Sequence, residues 1–254
     1  MKPINVLASV LVLAMGLGCA KKEEAPTTIT IAAAASLRDV LEQSAPKFEA
    51  THPGTKLRFS FEASSTLARQ IEAGGDYQVF LSADADNVER VRKQLDAASI
   101  APFLSNTLAL VAANATLAEK VKSPEDLRSQ TGKIALAGPK VPVGKYTRTY
   151  LTKKGLLAEL EPKIVTADDV RASLAMVEAG STDFAFVYLT DAKIAKKSVL
   201  LWTARGADDP GIIYVGAVVG QSPPPIATQY FAWVRSPEFL TLAEPFGFLP
   251  PPKP

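Results

Sequence analysis

The sequence predicts an α/β protein with mostly parallel sheets. Short strand-like runs alternate with helical runs along almost the whole chain, the order expected of parallel strands joined by crossover helices. At several joints, small or hydroxyl residues stand where a helix would begin, as in Phe61-Glu62-Ala63-Ser64-Ser65-Thr66. The 254 residues, 47% hydrophobic and 21% charged, suffice for a substantial core in one large domain or two lobes.

The N-terminus stands apart. After Lys2, the stretch from Ile4 to Gly18 is apolar except for Asn5 and Ser9. It is short for a bilayer span and fits the apolar region of an export signal over residues 1–18. It ends at Cys19, the sole cysteine, in a setting that resembles a bacterial lipoprotein processing box, although Gly16 stands where leucine is commoner. Cys19 is thus the expected lipid-attachment site and the link to a membrane. Residues 19–27 form a charged tether, and a single cysteine excludes an intrachain disulfide.

Thr28-Ile29-Thr30-Ile31 alternates as a strand and runs into an alanine turn ending at Ser36. A helix through Leu37, Val40, Leu41 and Phe48 follows, closed by His52-Pro53-Gly54. Lys56 to Phe61 alternates as a second strand. Leu67, Ala68 and Ile71 then repeat at helical spacing. Ser64 or Ser65, between the two, reads most simply as an N-cap.

Val79 to Ala83 reads as a buried strand before a helix through Val88, Val91 and Leu95, and Leu108–Val111 as another strand. Ser123-Pro124-Glu125-Asp126 carries a helix-start signature. Ile134–Ala137 precedes a helix opened by Pro142-Val143-Gly144, and Ile164-Val165 precedes one opened by Asp168-Asp169-Val170. Phe184–Tyr188, Val199–Trp202 and Ile212–Val215 are strand-like. Tyr230, Phe231, Trp233 and Val234 share a last helix before a proline-rich tail.

Markers of catalysis are sparse. The one histidine, His52, sits in a turn, and no G-x-S-x-G elbow is present. Ser44-Ala45-Pro46-Lys47 fits S-x-x-K but lacks the companion segments and reads as an exposed helix face. Gly138 to Lys145 imitates a P-loop with one residue too many between its glycines and Tyr146 in place of the hydroxyl. One cysteine and one histidine cannot supply a Cys/His metal cluster. The formal charge of +2 gives no footprint for nucleic acid. Neither catalysis nor a cofactor is therefore expected; a serine-dependent lipoprotein enzyme is the alternative reading.

What remains is a set of helix starts at Ser36, Ser64, Val143 and Val170. Each leaves backbone N–H groups unpaired and carries about half a positive charge. Several converging on one point would hold a dianion with N–H and O–H donors alone.

At these residues the chain resembles the periplasmic molybdate-binding proteins of ABC transporters. The matching segments are Ala33–Leu37, Ser60-Phe61, Ala63–Gly74 and Phe80–Asp84, then Val141-Pro142 with Gly144 and Tyr146. Asp169–Arg171 with Leu174-Ala175, Val187-Tyr188 with Asp191-Ala192, and Phe246–Phe248 complete the ordered set. The resemblance implies a two-lobed type II periplasmic-binding-protein fold, each lobe a mostly parallel sheet flanked by helices, with the ligand in the interlobe cleft. Lobe 1 would comprise residues 28–106 and 205–254, and lobe 2 residues 107–204. The implied ligand is molybdate, with tungstate, or alternatively another tetrahedral oxyanion or a small organic anion. It would be held by Ser36 and Ser64 (hydroxyl and N–H), Val143 and Val170 (N–H) and Tyr188 (phenol). The implied partner is a membrane permease, and the implied state a monomer in the periplasm or at the cell surface. Val143 stands where alanine is usual, Glu62 where a small residue is usual, and Gln78 where aspartate is usual. Discrimination against sulfate would come from cavity size, and against hydrogen phosphate from the absence of a carboxylate to accept its proton.

Overall fold

The structure is a computed structural model and describes residues 26–252. The export segment, Cys19 and most of the tether lie outside the described residues. Two five-stranded sheets organise the chain. The first has the order β2-β1-β3-β10-β4, from β1 (Thr27–Ala34), β2 (Thr55–Glu62), β3 (Val79–Ser82), β4 (Ala101–Ser105) and β10 (Ile213–Val218). The second has the order β7-β6-β8-β5-β9. Its strands are β5 (Leu108–Ala112), β6 (Ile134–Ala137), β7 (Ile164–Ala167), β8 (Phe184–Tyr188) and β9 (Val199–Thr203).

The two sheets share one plan. In each, three neighbouring strands are parallel, and a single strand (β10 or β5) runs antiparallel between the third of them and an edge strand. Each sheet is therefore mixed, with helices on its faces. The chain passes between the sheets twice, at Asn106-Thr107 and along Ala204–Ile212.

Burial follows position in the sheet. Every residue of β3, β5, β6 and β8 is buried, as expected of strands covered on both faces. Edge strand β2 is mostly half-buried or exposed, which explains its legible alternation. The alanines read as a turn after Ile31 instead continue β1 to Ala34, because small side chains fit between flanking helices. Ser123 heads a 3-10 helix (Pro124–Ser129) rather than an α-helix. Ser44 is buried, its hydroxyl donating to the Leu41 carbonyl, so that stretch is no exposed face.

Gly144 shows how closely one helix start must sit on its sheet. A Cβ there would collide with the backbone carbonyl oxygens of Ala137 and Gly138 at the end of β6. Neither backbone atom can yield without moving the strand end. Gly144→Ala is expected to lower stability by about 2 kcal/mol or more, read as a lower urea midpoint.

Candidate functional site: a cavity of converging helix starts

Six strand ends meet at one cavity. It is lined by Ala34, Ala35 and Ser36 at the end of β1, Glu62, Ala63 and Ser64 at the end of β2, and Ala83 after β3. From the second sheet come Val141, Pro142 and Val143 after β6, Asp169 and Val170 after β7, and Tyr188 at the end of β8. All five candidate residues, Ser36, Ser64, Val143, Val170 and Tyr188, therefore line the same space. The carboxyl ends of parallel strands are where open α/β sheets place ligands, because the following helices begin there.

Local sequence explains each donor. Ser36 lies in a 3-10 turn (Ala35–Leu37) that leads into the helix Arg38–Thr51. Ser64 is the first residue of the helix Ser64–Glu72, not its cap. Ala63 caps it, its carbonyl accepting the N–H groups of Thr66 and Leu67. The expected capping role of the serine is thus corrected. A residue with no side-chain cap leaves the helix start open, and the Ser64 hydroxyl turns instead to accept from the Ala83 N–H at 3.0 Å. That bond occupies a lone pair and leaves the hydroxyl proton free to donate.

Pro142 opens the helix Pro142–Lys153, where its missing N–H costs nothing, and Val143 follows with its own N–H. Asp169 caps the helix Val170–Glu178 by accepting from the Ala172 N–H at 2.8 Å. Among the described residues, the N–H groups of Ser36, Ser64, Val143 and Val170 have no protein acceptor, and first-turn geometry allows them none within the helix.

Tyr188 is the most telling donor. It is 1% exposed, and its hydroxyl has no hydrogen-bond partner among the described residues. An orphaned buried hydroxyl costs roughly 1–3 kcal/mol, so the fold holds this group at a loss unless something in the cavity accepts from it. Burial, with Tyr214, Tyr146, Asp84 and Asp191 nearby, pushes its pKa well above the ordinary tyrosine range. Tyr188 therefore stays a neutral donor.

Charge surrounds the cavity without entering it as a cation. Arg171, in the second-sheet helix, sits with its Nε 2.6 Å from Asp191 Oδ1 and its Nη2 2.5 Å from Asp39 Oδ2. Asp39 belongs to the helix that follows β1, so this arginine bridges the two sheets, also reaching the Ser36 carbonyl at 3.4 Å. Burial drives Asp191 up to about 6 against the pull of Arg171 and the Tyr188 N–H. Lys145 and Asp86 form a second ion pair between the two halves.

Two acidic wall residues stand outside the set of site residues expected from the sequence. Glu62, exposed, and Asp169, half-buried with its carboxylate accepting from the Ala172 N–H, line the cavity. These two acidic residues stand in a wall where no carboxylate acceptor is expected. Among the described residues no group of three or more His, Cys, Asp or Glu could hold a metal ion, and no helix is long and apolar enough to cross a membrane.

Comparison with known proteins agrees with this architecture. Residues 29–249 match the family described as bacterial extracellular solute-binding protein. The chain is 32% identical over 227 residues to the molybdate-binding protein ModA of Escherichia coli, covering 87% of this chain and 88% of that one. It is 31% identical over 210 residues to ModA of Haemophilus influenzae, covering 78% and 79%. The solved periplasmic molybdate-binding protein of Azotobacter vinelandii shares its fold with a TM-score of 0.79 at 24% identity, over 88% of this chain and all of that one. With the family matched over nearly its whole length, this chain belongs to the bacterial extracellular solute-binding proteins.

Proposed function

We propose that the protein is the extracytoplasmic receptor of an ABC transporter, binding molybdate, and tungstate likewise, without catalysing a reaction. The observation that carries this reading is the buried, unpartnered Tyr188 hydroxyl in a cavity walled by four helix starts. Four starts at about half a charge each supply roughly +2, matched to a dianion. The relatives named as molybdate-binding proteins support molybdate as the particular dianion. Ser36 and Ser64 would each give a hydroxyl and an N–H, Val143 and Val170 an N–H, and Tyr188 its phenol. The lobes would be residues 28–106 with 205–254, and 107–204, closing about Asn106-Thr107 and Ala204–Ile212. Closure presents the loaded form to the permease. A lipid on Cys19 would hold the receptor, as a monomer, at a membrane after removal of residues 1–18; loss of radiolabelled acyl incorporation in Cys19→Ser tests that anchor.

A second reading has its own support. Glu62 and Asp169 could take the proton of hydrogen phosphate or a similar protonated oxyanion. Titration calorimetry with molybdate, tungstate, sulfate and phosphate separates the two: tight phosphate binding without a molybdate heat would replace the first reading.

The ion pair across the cleft supplies a kinetic test. Asp39→Asn leaves the cavity donors in place and removes the charge that Arg171 meets on the opposite side. A partly exposed pair contributes about 0–1 kcal/mol, so dissociation of molybdate is expected to quicken by up to about fivefold. Association should change little, and the difference should shrink at high salt. Stopped-flow fluorescence from Trp202 and Trp233 would follow both rates.

A further inference from the structure

The two cavity serines are prepared differently. Ser64 receives a local N–H from Ala83, whereas Ser36 depends on a buried chain of side chains from remote segments. The Thr107 N–H can only donate, and it donates to Asn106 Oδ1 at 2.8 Å. That bond fixes the Asn106 amide, so its Nδ2 must face the other way, toward Tyr214 Oη at 3.2 Å and Thr190 Oγ1 at 2.9 Å. Tyr214 Oη, accepting from Asn106, has its own proton left for Ser36 Oγ, 2.7 Å away. With that proton given to Ser36 Oγ, the serine would keep its own for the cavity. Asn106, Tyr214 and Ser36 are 1%, 0% and 3% exposed, so water does not compete along the chain.

We infer that Tyr214, oriented by Asn106, is a positioning residue that fixes Ser36 as a donor toward the cavity oxyanion. This rests on the oxyanion reading above. A serine hydroxyl is ambivalent, able to accept or donate, and an anion needs only the donor. The polarity of the relay originates in a backbone N–H, which cannot reverse. Its members also sit in or beside the two connections between the sheets: Asn106 lies in the first, and Tyr214 is the second residue of β10, just after the second. The Ser36 donor is thereby set from one of the segments about which closure would occur and from the strand that follows the other.

The test is a double-mutant cycle on the full-length protein, titrated calorimetrically with sodium molybdate. Tyr214→Phe keeps the ring and deletes the hydroxyl. It is expected to weaken binding about tenfold, the scale of one oriented hydrogen bond. In a Ser36→Ala background the same change should cost less than about twofold, because the group it orients is gone. A packing role would instead carry the same loss into both backgrounds, along with a lower melting temperature of the ligand-free chain. Asn106→Asp offers a second route: its carboxylate accepts from both Thr107 and Tyr214, drawing the tyrosine proton away from Ser36. Molybdate binding should then fall at least as far as in Tyr214→Phe. Binding by Tyr214→Phe within twofold of the parent, or an equal loss in the Ser36→Ala background, overturns the relay. A silent Ser36→Ala overturns the oxyanion site together with it, whereas a damaging Ser36→Ala beside a silent Tyr214→Phe overturns the relay alone.

Discussion

Changing Ser64 to alanine and Tyr188 to phenylalanine in one chain is expected to weaken molybdate binding by about a hundredfold to ten-thousandfold. Each substitution removes one donor to a desolvated charge, and such bonds contribute about 1.5–3 kcal/mol apiece. The two changes should part company in the ligand-free protein. Phenylalanine at 188 relieves an unpartnered buried hydroxyl, so its melting temperature should hold or rise. Alanine at 64 strands the Ala83 N–H and should lower it. Calorimetry and thermal melts of the two single variants and the double variant check both halves. A site that binds as before with both hydroxyls gone lies elsewhere.

Val170→Pro is the second change with a large expected effect, and it addresses the backbone rather than a side chain. Val170 is the first residue of its helix, the position where proline is favoured because the N–H has no intrahelical use. Asp169 before it is already extended (φ −151°, ψ −175°), as a residue preceding proline must be. The substitution therefore deletes one cavity N–H and leaves the helix able to form. Molybdate affinity is expected to fall by about tenfold to a hundredfold. The far-ultraviolet spectrum should be unchanged, with a modest stability loss from trimming a buried valine. An intact affinity would mean that this helix start does not meet the ligand.

The parts of the site legible in the sequence are those written locally. A strand pattern that breaks off and resumes at helical spacing marks a helix start, with small or hydroxyl residues at Ser36 and Ser64 and with Pro142-Val143-Gly144 and Asp168-Asp169-Val170 at the other two. The assignment of Ser64 as a cap failed because hydroxyl residues serve equally as the cap or the first helical residue. The first helical bonds, from the Thr66 and Leu67 N–H groups to the Ala63 carbonyl, decide between them and free the Ser64 hydroxyl for the Ala83 N–H. Strand direction was equally hidden: β5 and β10 carry the same buried apolar run as their parallel neighbours but run opposite to them. Tyr188 could be named only through resemblance, since its value lies in what its hydroxyl lacks.

Nonlocal partnership was beyond the pattern altogether. Ser36 and Tyr214 are 178 residues apart, and Asn106 and Tyr214 are 108 apart, with no periodicity to connect them. Glu62 was visible as an unusual residue before Ser64. Its place on the cavity wall follows only from the meeting of the two sheets.

Isothermal titration of the purified protein with molybdate, alongside sulfate and phosphate, tests the central claim most directly. The account predicts a single saturable site per chain for molybdate, with tungstate competing and sulfate and phosphate bound far more weakly. Tight sulfate or phosphate binding, or no molybdate heat, would contradict it.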